Sequence, residues 1–273
     1  SKYYEIIKVD WKMAKNNLLL ASITDNLETR LIGRKVIYYP RLTSTMDIAR
    51  RKVKQGVAEG TVIMADEQTA GRGRTKRLWL SPRGSIALSI IFYPTVASLP
   101  YLVMLASLAA VRSIALVTGL EAQIKWPNDV LIDGKKVCGI LIESSVQGNR
   151  VAYAIIGIGI NVNFRLADFP EILPMATSLS DELGKEVSRA DIIRCLLVEI
   201  ERLYLTLPDG KAIYQAWRDK LVTLGKKVRV TSGETILEGI AESVDKNGNL
   251  LLRQADGSIT EIIAGDVTLP NGK

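Results

Sequence analysis

The sequence predicts an α+β fold: a mixed, largely antiparallel sheet with helices on one face, followed by a small all-β unit. Three observations carry this. Apolar, β-prone runs alternate with helical runs up to about residue 222. Between residues 122 and 162, successive β runs are joined by tight links and read as an antiparallel meander. After "LGKK" (224–227) the pattern changes to short strands separated by turn-rich stretches.

The elements follow in order. Residues 1–26 form an extension of uncertain structure; "VDWKMAKNNLLLASI" within it reads as a helix or as the remnant of an upstream element. The main domain is expected over 27–224 and the small C-terminal β domain over 225–273. "KVIYY" (35–39) is a strand. "STMDIARRKVKQG" (44–56) is a helix, with Ser44 or Thr45 as cap and Gly56 as stop. "TVIMAD" (61–66) is a buried strand and a basic loop follows it. "SIALSIIFYP" is a strand closed by Pro94, and "LPYLVMLASLAAVRSIALVTG" (99–119) is a helix apolar on most faces, which belongs in the core. In the meander, "IDGKK" carries the Asp-Gly signature of a hairpin turn. "SRADIIRCLLVEIERLYLTL" (188–207) is an amphipathic helix capped by Ser188, and a second helix covers about 209–222. "KVRVTS", "TILEGIAESV", "NLLLRQ" and "SITEII" are the strands of the C-terminal unit, which is small enough that it should pack on the main domain.

Composition narrows the chemistry. The chain has 273 residues, enough for a sizeable core. Its formal charge of +7 suits an acidic partner or a polyanionic ligand. Histidine is absent, which removes His-based triads, His metal sites and the usual general base. The two cysteines, Cys138 and Cys195, lie far apart and read as small buried hydrophobes in a reducing cytoplasm. The apolar run at 99–119 is interrupted by Ser107, Arg112 and Ser113, so no membrane span is expected, and no signal-peptide pattern opens the chain.

The stretch "TAGRGRTKRLW" (69–79) concentrates charge. Arg72, Arg74, Lys76, Arg77 and Arg83 are five cations within residues 72–83. Guanidinium groups match phosphate and carboxylate with paired donors. Gly71 and Gly73 let backbone N–H groups approach an anion, and Trp79 supplies a ring for stacking. Charge alone would read as a solvated loop; charge with spaced glycines and Trp directly after a buried strand reads as anion binding. No third glycine follows Gly71-x-Gly73 or Gly157-x-Gly159, and no Gly-x4-Gly-Lys-Ser/Thr occurs, so dinucleotide and P-loop readings fall away. "KWPND" (125–129) packs a cation, an aromatic, a proline, an amide and a carboxylate into five positions. The alternate glycines of "GIGIN" leave a flat strand face where a ligand can lie; tight packing is the plainer reading there and at Gly139.

Taken in order, these segments resemble biotin protein ligase. The resemblance rests on "STMD" (44–47), "EQTAGRGRTKRLW" (67–79), "KWPND", "KKVCGILIE" (135–143) and "GIGINVN" (157–163), with "ATSL" (176–179) also fitting. It covers roughly residues 27–273, and it implies a biotin/lipoate ligase-like catalytic domain with a C-terminal SH3-like β-barrel. It also implies a two-step enzyme. Biotin and ATP, with Mg2+ on the phosphates, give biotinyl-5′-AMP and pyrophosphate; a lysine of a biotin carboxyl carrier protein or domain then attacks the mixed anhydride.

By the same resemblance, Ser44, Thr45, Gln68 and Gly71 bind the biotin ring, while Gly139, Gly157 and Gly159 form the biotin wall. Arg72 and Arg74 hold the biotin carboxylate and phosphate region, with Arg77 nearby. Trp79 packs on the adenylate, and Asn128 and Asn161 meet the adenine. Lys136 is the main catalytic cation and contacts both substrates, and Asp129 orients the incoming lysine. The basic loop becomes a lid that orders over the ligand. Met46 stands where the resemblance leads one to expect Asn, and Thr75-Lys76 replaces a pair usually containing Gly. Only about 26 residues precede the ligase core, so the form expected is one without a complete N-terminal winged-helix domain, and DNA binding is not expected. No protein metal site and no membrane partner are expected; a homodimer is. The competing readings are a lipoate-protein ligase, a nucleic-acid-binding regulator and a non-catalytic biotin-binding module.

Overall fold

The computed structural model describes residues 5–6 and 20–269. Its main-domain strands are β1 (Glu5–Ile6), β2 (Val36–Tyr39), β3 (Val62–Ala65), β4 (Gln68–Arg72), β5 (Leu78–Ser81), β6 (Ile86–Phe92), β7 (Gln123–Lys125), β8 (Asp129–Ile132), β9 (Lys135–Gln147) and β10 (Arg150–Ile160). The C-terminal strands are β11 (Lys227–Ser232), β12 (Thr235–Val244), β13 (Leu250–Arg253), β14 (Ile259–Ile262) and β15 (Asp266–Thr268). The helices are α1 (Leu20–Thr24), α2 (Thr45–Lys54), α3 (Leu99–Thr118), α4 (Leu179–Leu183), α5 (Arg189–Tyr204) and α6 (Lys211–Asp219). Most of the helix read over 9–23 lies outside the described residues; Leu20–Ile23 fall in α1.

Eight strands form one sheet in the order β1-β2-β3-β6-β10-β9-β8-β7. The β1–β2 and β2–β3 ladders are parallel, and the rest are antiparallel. The meander read from 122–162 is the run β7 to β10. Its β8–β9 turn places Asp133 at φ 47° and Gly134 at φ 79°, the pair of left-handed residues a two-residue hairpin turn requires. Helix α3 starts with a proline in its first turn and stops at Gly119 in the left-handed region. It lies on one face of the sheet and carries α5 and α6. By length and mean hydropathy (1.8) the helical stretch Val96–Thr118 would qualify as a membrane span, more than its interrupted run suggested. Its side chains from Leu102 to Ile114 are instead largely buried in the core.

The sheet's second face is not bare. Helix α2 packs there, against β3, β6 and β10. Strand alternation separates the two sides. In β10, Ile156, Ile158 and Ile160 join the large core with α3 and α5, whereas Ile155 joins Met46 and Ala49 of α2, with Ile63 and Ile91. Gly157 and Gly159 therefore lie on the α2 side.

The C-terminal unit is a five-stranded antiparallel sheet in the order β14-β13-β12-β11-β15. The expected barrel is thus an open sheet: among the described residues no ladder joins β14 to β15. Strand β15 was not read from the sequence. The unit shares its core with the main domain: Val228, Val230, Leu250 and Leu252 belong to the same cluster as Trp126 and Trp217. Trp126 is the joint. Its backbone N–H donates to Thr223 Oγ1 (2.9 Å), and its indole Nε1–H donates to the Gly248 carbonyl (2.8 Å). At the other end, the buried carboxylate of Glu201 on α5 accepts the backbone N–H groups of Arg30, Leu31 and Ile32 at 2.7–2.8 Å, which fixes the approach to β2.

Candidate active site

The cleft opens on the α2 face of the sheet; the empty space in and over it is about 750 Å³, part of it open solvent. Its floor is written into the register. Gly157 pairs with Ser89 and Leu141, and Gly159 pairs with Ala87 and Gly139. Gly139, Gly157 and Gly159 thus give the cleft a patch of strand without side chains, while the even-numbered isoleucines of β9 and β10 fill the core. A Cβ at Gly159 would fall 2.3 Å from Trp79 Nε1, and one at Gly139 would fall 2.9 Å from the same ring. A Cβ at Gly157 would meet Met46 Sδ at 2.7 Å. The Met46 thioether therefore occupies the space over Gly157, where a polar residue was expected.

One end of the cleft is polar. Ser44 is the N-cap residue of α2, yet its side chain makes no cap hydrogen bond; its buried Oγ has no partner. Thr45 N–H and Oγ1–H both donate to Gln68 Oε1 (2.9 and 3.1 Å), and the buried Ser89 Oγ–H donates to Thr45 Oγ1 (2.8 Å). This chain fixes which way the Gln68 amide faces. A buried hydroxyl without a partner is costly in a finished core. Ser44 Oγ and Trp79 Nε1, both on the cleft and both unpaired, mark where a ligand's polar atoms would sit.

The other end is cationic. The basic stretch is a β-hairpin, β4–β5, rather than a loop. Gly71 faces Trp79 across it, where a Cβ would lie 2.4 Å from the Trp79 carbonyl oxygen. Thr75, at φ 51°, turns the tip. Arg74 Nη1–H donates to Asn128 Oδ1 (2.9 Å), and its nearest carboxylate, Asp266, is 4.0 Å away. Burial pushes the Arg74 guanidinium pKa down, against the pull of Asp266 and Asp129. A half-hidden guanidinium so weakly neutralised favours an anionic ligand. Arg77 Nη2 pairs with Asp266 Oδ2 at 2.7 Å. Lys136 Nζ sits 2.6 Å from Asp129 Oδ1 and 5.3 Å from the centre of the Trp79 ring. Asp129 Oδ2 is 3.3 Å from Lys125 Nζ.

The structure brings nearly all the predicted site residues to this one cleft; Gly71 and Asn161 are the two that do not line it. Gly71 works within the hairpin. Asn161, expected at the adenine, turns its amide to the Thr177 carbonyl (2.9 Å) and the Lys136 carbonyl (3.5 Å), bracing the Lys136 strand from behind. Arg72 lines the cleft but points its guanidinium at Asp47 (3.2 Å) and Glu143 (3.8 Å), a cluster completed by Arg50. Cys138 is buried and free, and burial drives its thiol pKa far up, so it stays a neutral packing group. Sequence reasoning missed Ser89 and Asp266. Ser89 was readable only as a small polar interruption of "SIALSIIF"; Asp266 gave no signal, because its strand was not recognised.

The model of the biotin/lipoate A/B protein ligase family matches residues 38–161. A second model, the biotin protein ligase C terminal domain, matches residues 223–269. The chain is 36% identical over 274 residues to the bifunctional ligase/repressor BirA of Bacillus subtilis, covering 98% of this chain and 82% of that protein. It is 34% identical to the biotin–[acetyl-CoA-carboxylase] ligase of Paracoccus denitrificans, covering 79% and 93%. Among solved structures, it is similar to the biotin protein ligase of Aquifex aeolicus in complex with biotin and ATP, with a TM-score of 0.72, 30% identity and coverage of 87% and 99%. The chain belongs to the biotin protein ligase family.

Proposed function

We propose that this chain uses ATP to activate biotin as biotinyl-5′-AMP and then passes the biotinyl group to a lysine of a biotin carboxyl carrier protein or domain. In the first step the biotin carboxylate oxygen attacks the α-phosphorus; a C–O–P link forms and pyrophosphate leaves with the electron pair. In the second, the lysine nitrogen attacks the acyl carbon; a C–N bond forms, the C–O bond breaks and AMP leaves. The ammonium sheds two protons in all, one before attack and one after.

The observation that carries this reading is the make-up of one cleft: a glycine floor with an unpaired Ser44 hydroxyl at one end and Arg74, Arg77 and Lys136 at the other. A flat polar-edged ring suits the first end, and phosphates suit the second. Ser44, Thr45 and Gln68 would hold the ring, with Gly139, Gly157 and Gly159 beneath it once Trp79 and the Met46 thioether move aside from them. Arg74, Arg77 and Lys136 would gather the carboxylate and phosphates and offset the charge that builds during adenylation. Arg72 would reach the same region by leaving Asp47. Trp79 and Asn128 would flank the adenylate, with Asn161 acting through Lys136, and Asp129 would meet the incoming lysine. Mg2+ would arrive on the triphosphate. Among the described residues no group of three or more potential ligands could hold a metal, and the cleft carboxylates Asp129 and Asp266 already face cations, so phosphate oxygens and water would be its ligands. The reading takes residues 27–224 as the catalytic unit and 225–273 as a C-terminal unit beside it. It also takes the enzyme to be a cytoplasmic homodimer.

The test is biotin-dependent exchange of labelled pyrophosphate into ATP. Exchange with biotin and not with lipoate, lost about 100-fold or more in Lys136→Ala, supports the reading. Exchange with lipoate alone would move the chain to the lipoate branch, and none with either acid would overturn adenylation.

A further inference from the structure

The carboxylate of Asp129 lies between two ammonium groups. Lys136 holds Oδ1 from the cleft side at 2.6 Å, and Lys125 holds Oδ2 at 3.3 Å. Lys136 lines the cleft; Lys125 does not. Lys125 and Asp129 are direct cross-strand partners in the β7–β8 ladder, at the two ends of the tight Trp126-Pro127-Asn128 link. That link is itself fixed. Trp126 is anchored through Thr223 and Gly248, and Asn128 Nδ2–H donates to the Ile140 carbonyl at 2.5 Å. Lys125 and Asp129 keep 24% and 16% of their side-chain surface, so the pair is shielded but wet.

The two lysines cannot serve the same purpose. Lys136 is half over the Trp79 ring and faces the space where the proposed reading puts a carboxylate and a phosphate. When it turns to that anion it must loosen its hold on Asp129 Oδ1. This leaves a cleft-facing carboxylate oxygen without a cation, the right partner for another ammonium entering the cleft. A carboxylate released on one side would be free to rotate; Lys125 stops it. Cross-strand opposite charges of this kind hold geometry more than they add stability.

We infer that Lys125 is a positioning residue for lysine transfer: it pins Asp129 Oδ2 so that Oδ1, vacated by Lys136, receives the acceptor lysine's ammonium and takes its first proton. The second proton leaves to solvent after the C–N bond forms. This rests on the biotinyl-transfer reading above. It adds a division of labour, in which Lys136 serves the adenylate and Lys125 serves the acceptor.

The experiment separates the two half-reactions in the full chain. Adenylation is followed by biotin-dependent pyrophosphate exchange. Transfer is followed in single turnovers from preformed biotinyl-5′-AMP to a biotin carboxyl carrier domain. Lys125→Gln should slow transfer about tenfold more than exchange, and Lys125→Arg should restore most of the loss. In an Asp129→Asn background, Lys125→Gln should add little, because its target is gone. Equal losses in both half-reactions, no selective loss, failure of Arg to restore, or additive losses in the double variant would each overturn the proposal. Absence of biotin-dependent exchange in the unmutated chain would instead overturn the reading on which it rests.

Discussion

Ser44 shows how a residue can be placed for a ligand at the expense of the fold. A serine at a helix N-cap normally accepts a backbone N–H, and such a bond contributes about 1 kcal/mol. Ser178 and Ser188 do this for α4 and α5, but Ser44 does not for α2. Its hydroxyl is buried and unpaired. Removing it therefore deletes no internal hydrogen bond. Ser44→Ala is expected to leave thermal stability unchanged or slightly raised, while the KM for biotin rises about tenfold. Exchange kinetics together with a melting curve check both halves. A parallel fall in stability would mean that the hydroxyl serves the helix after all. At this scale the sequence was informative about residue types but not about direction. "GRGRTKR" announces anion binding, yet nothing in it says that Arg72 turns outward to Asp47 and Glu143 while Arg74 turns inward to Asn128. Those choices depend on partners distant in the chain.

Among the elements, the β4–β5 hairpin decides most. Its strands were hidden because charge and glycine mask the alternation that signals a strand, and β4 joins the large sheet through no ladder, only a bridge from Gln68 to Leu42 beside its pairing with β5. The long strands of the meander, by contrast, were legible from apolar alternation and from the Asp133-Gly134 turn. Strand β15 was missed because three residues before a proline carry too little pattern. The hairpin's tolerance is narrow at Gly71. A methyl group there would press on the Trp79 carbonyl, a backbone atom that cannot swing away. Gly71→Ala should therefore splay the hairpin and lift Trp79 from Gly139 and Gly159. Exchange activity should fall about 100-fold with a change in Tm of no more than about 3 °C, because the large core lies on the other face of the sheet. A ligand-dependent change in tryptophan fluorescence that is lost in Gly71→Ala and kept in Gly73→Ala would locate the defect. A Tm fall in proportion to the activity would show that the hairpin belongs to the folding core.

Across the whole molecule, the C-terminal sheet is tied to the cleft at two levels. Trp126 and Gly248 join the cores, and Asp266 reaches the hairpin through Arg77. The Arg77 side chain is 66% exposed, so the ion pair adds little to stability. Asp266→Asn should raise the KM for ATP severalfold with Tm almost unchanged; an unchanged KM would mean that the contact is incidental. The main domain also carries a buried and a half-buried tyrosine whose hydroxyls donate to carboxylates, Tyr38 to Asp66 (2.5 Å) and Tyr204 to Glu59 (2.6 Å). Burial, then these bonds, push both phenols well above the ordinary tyrosine value of 10.0. Their stabilising effect is complete below that value and is lost as pH rises past it, because the unfolded chain ionises first. Stability against urea should fall above about pH 10, and Tyr204→Phe should flatten that decline. The alternation of glycine and isoleucine in β10 has a consequence for errors. A slip of one residue against β9 or β6 would carry the isoleucines into the cleft and the glycines into the core, leaving voids where α3 packs. A chain in the wrong register would thus be unstable as well as inactive, so it would be removed by unfolding before it could compete for substrate as a defective copy.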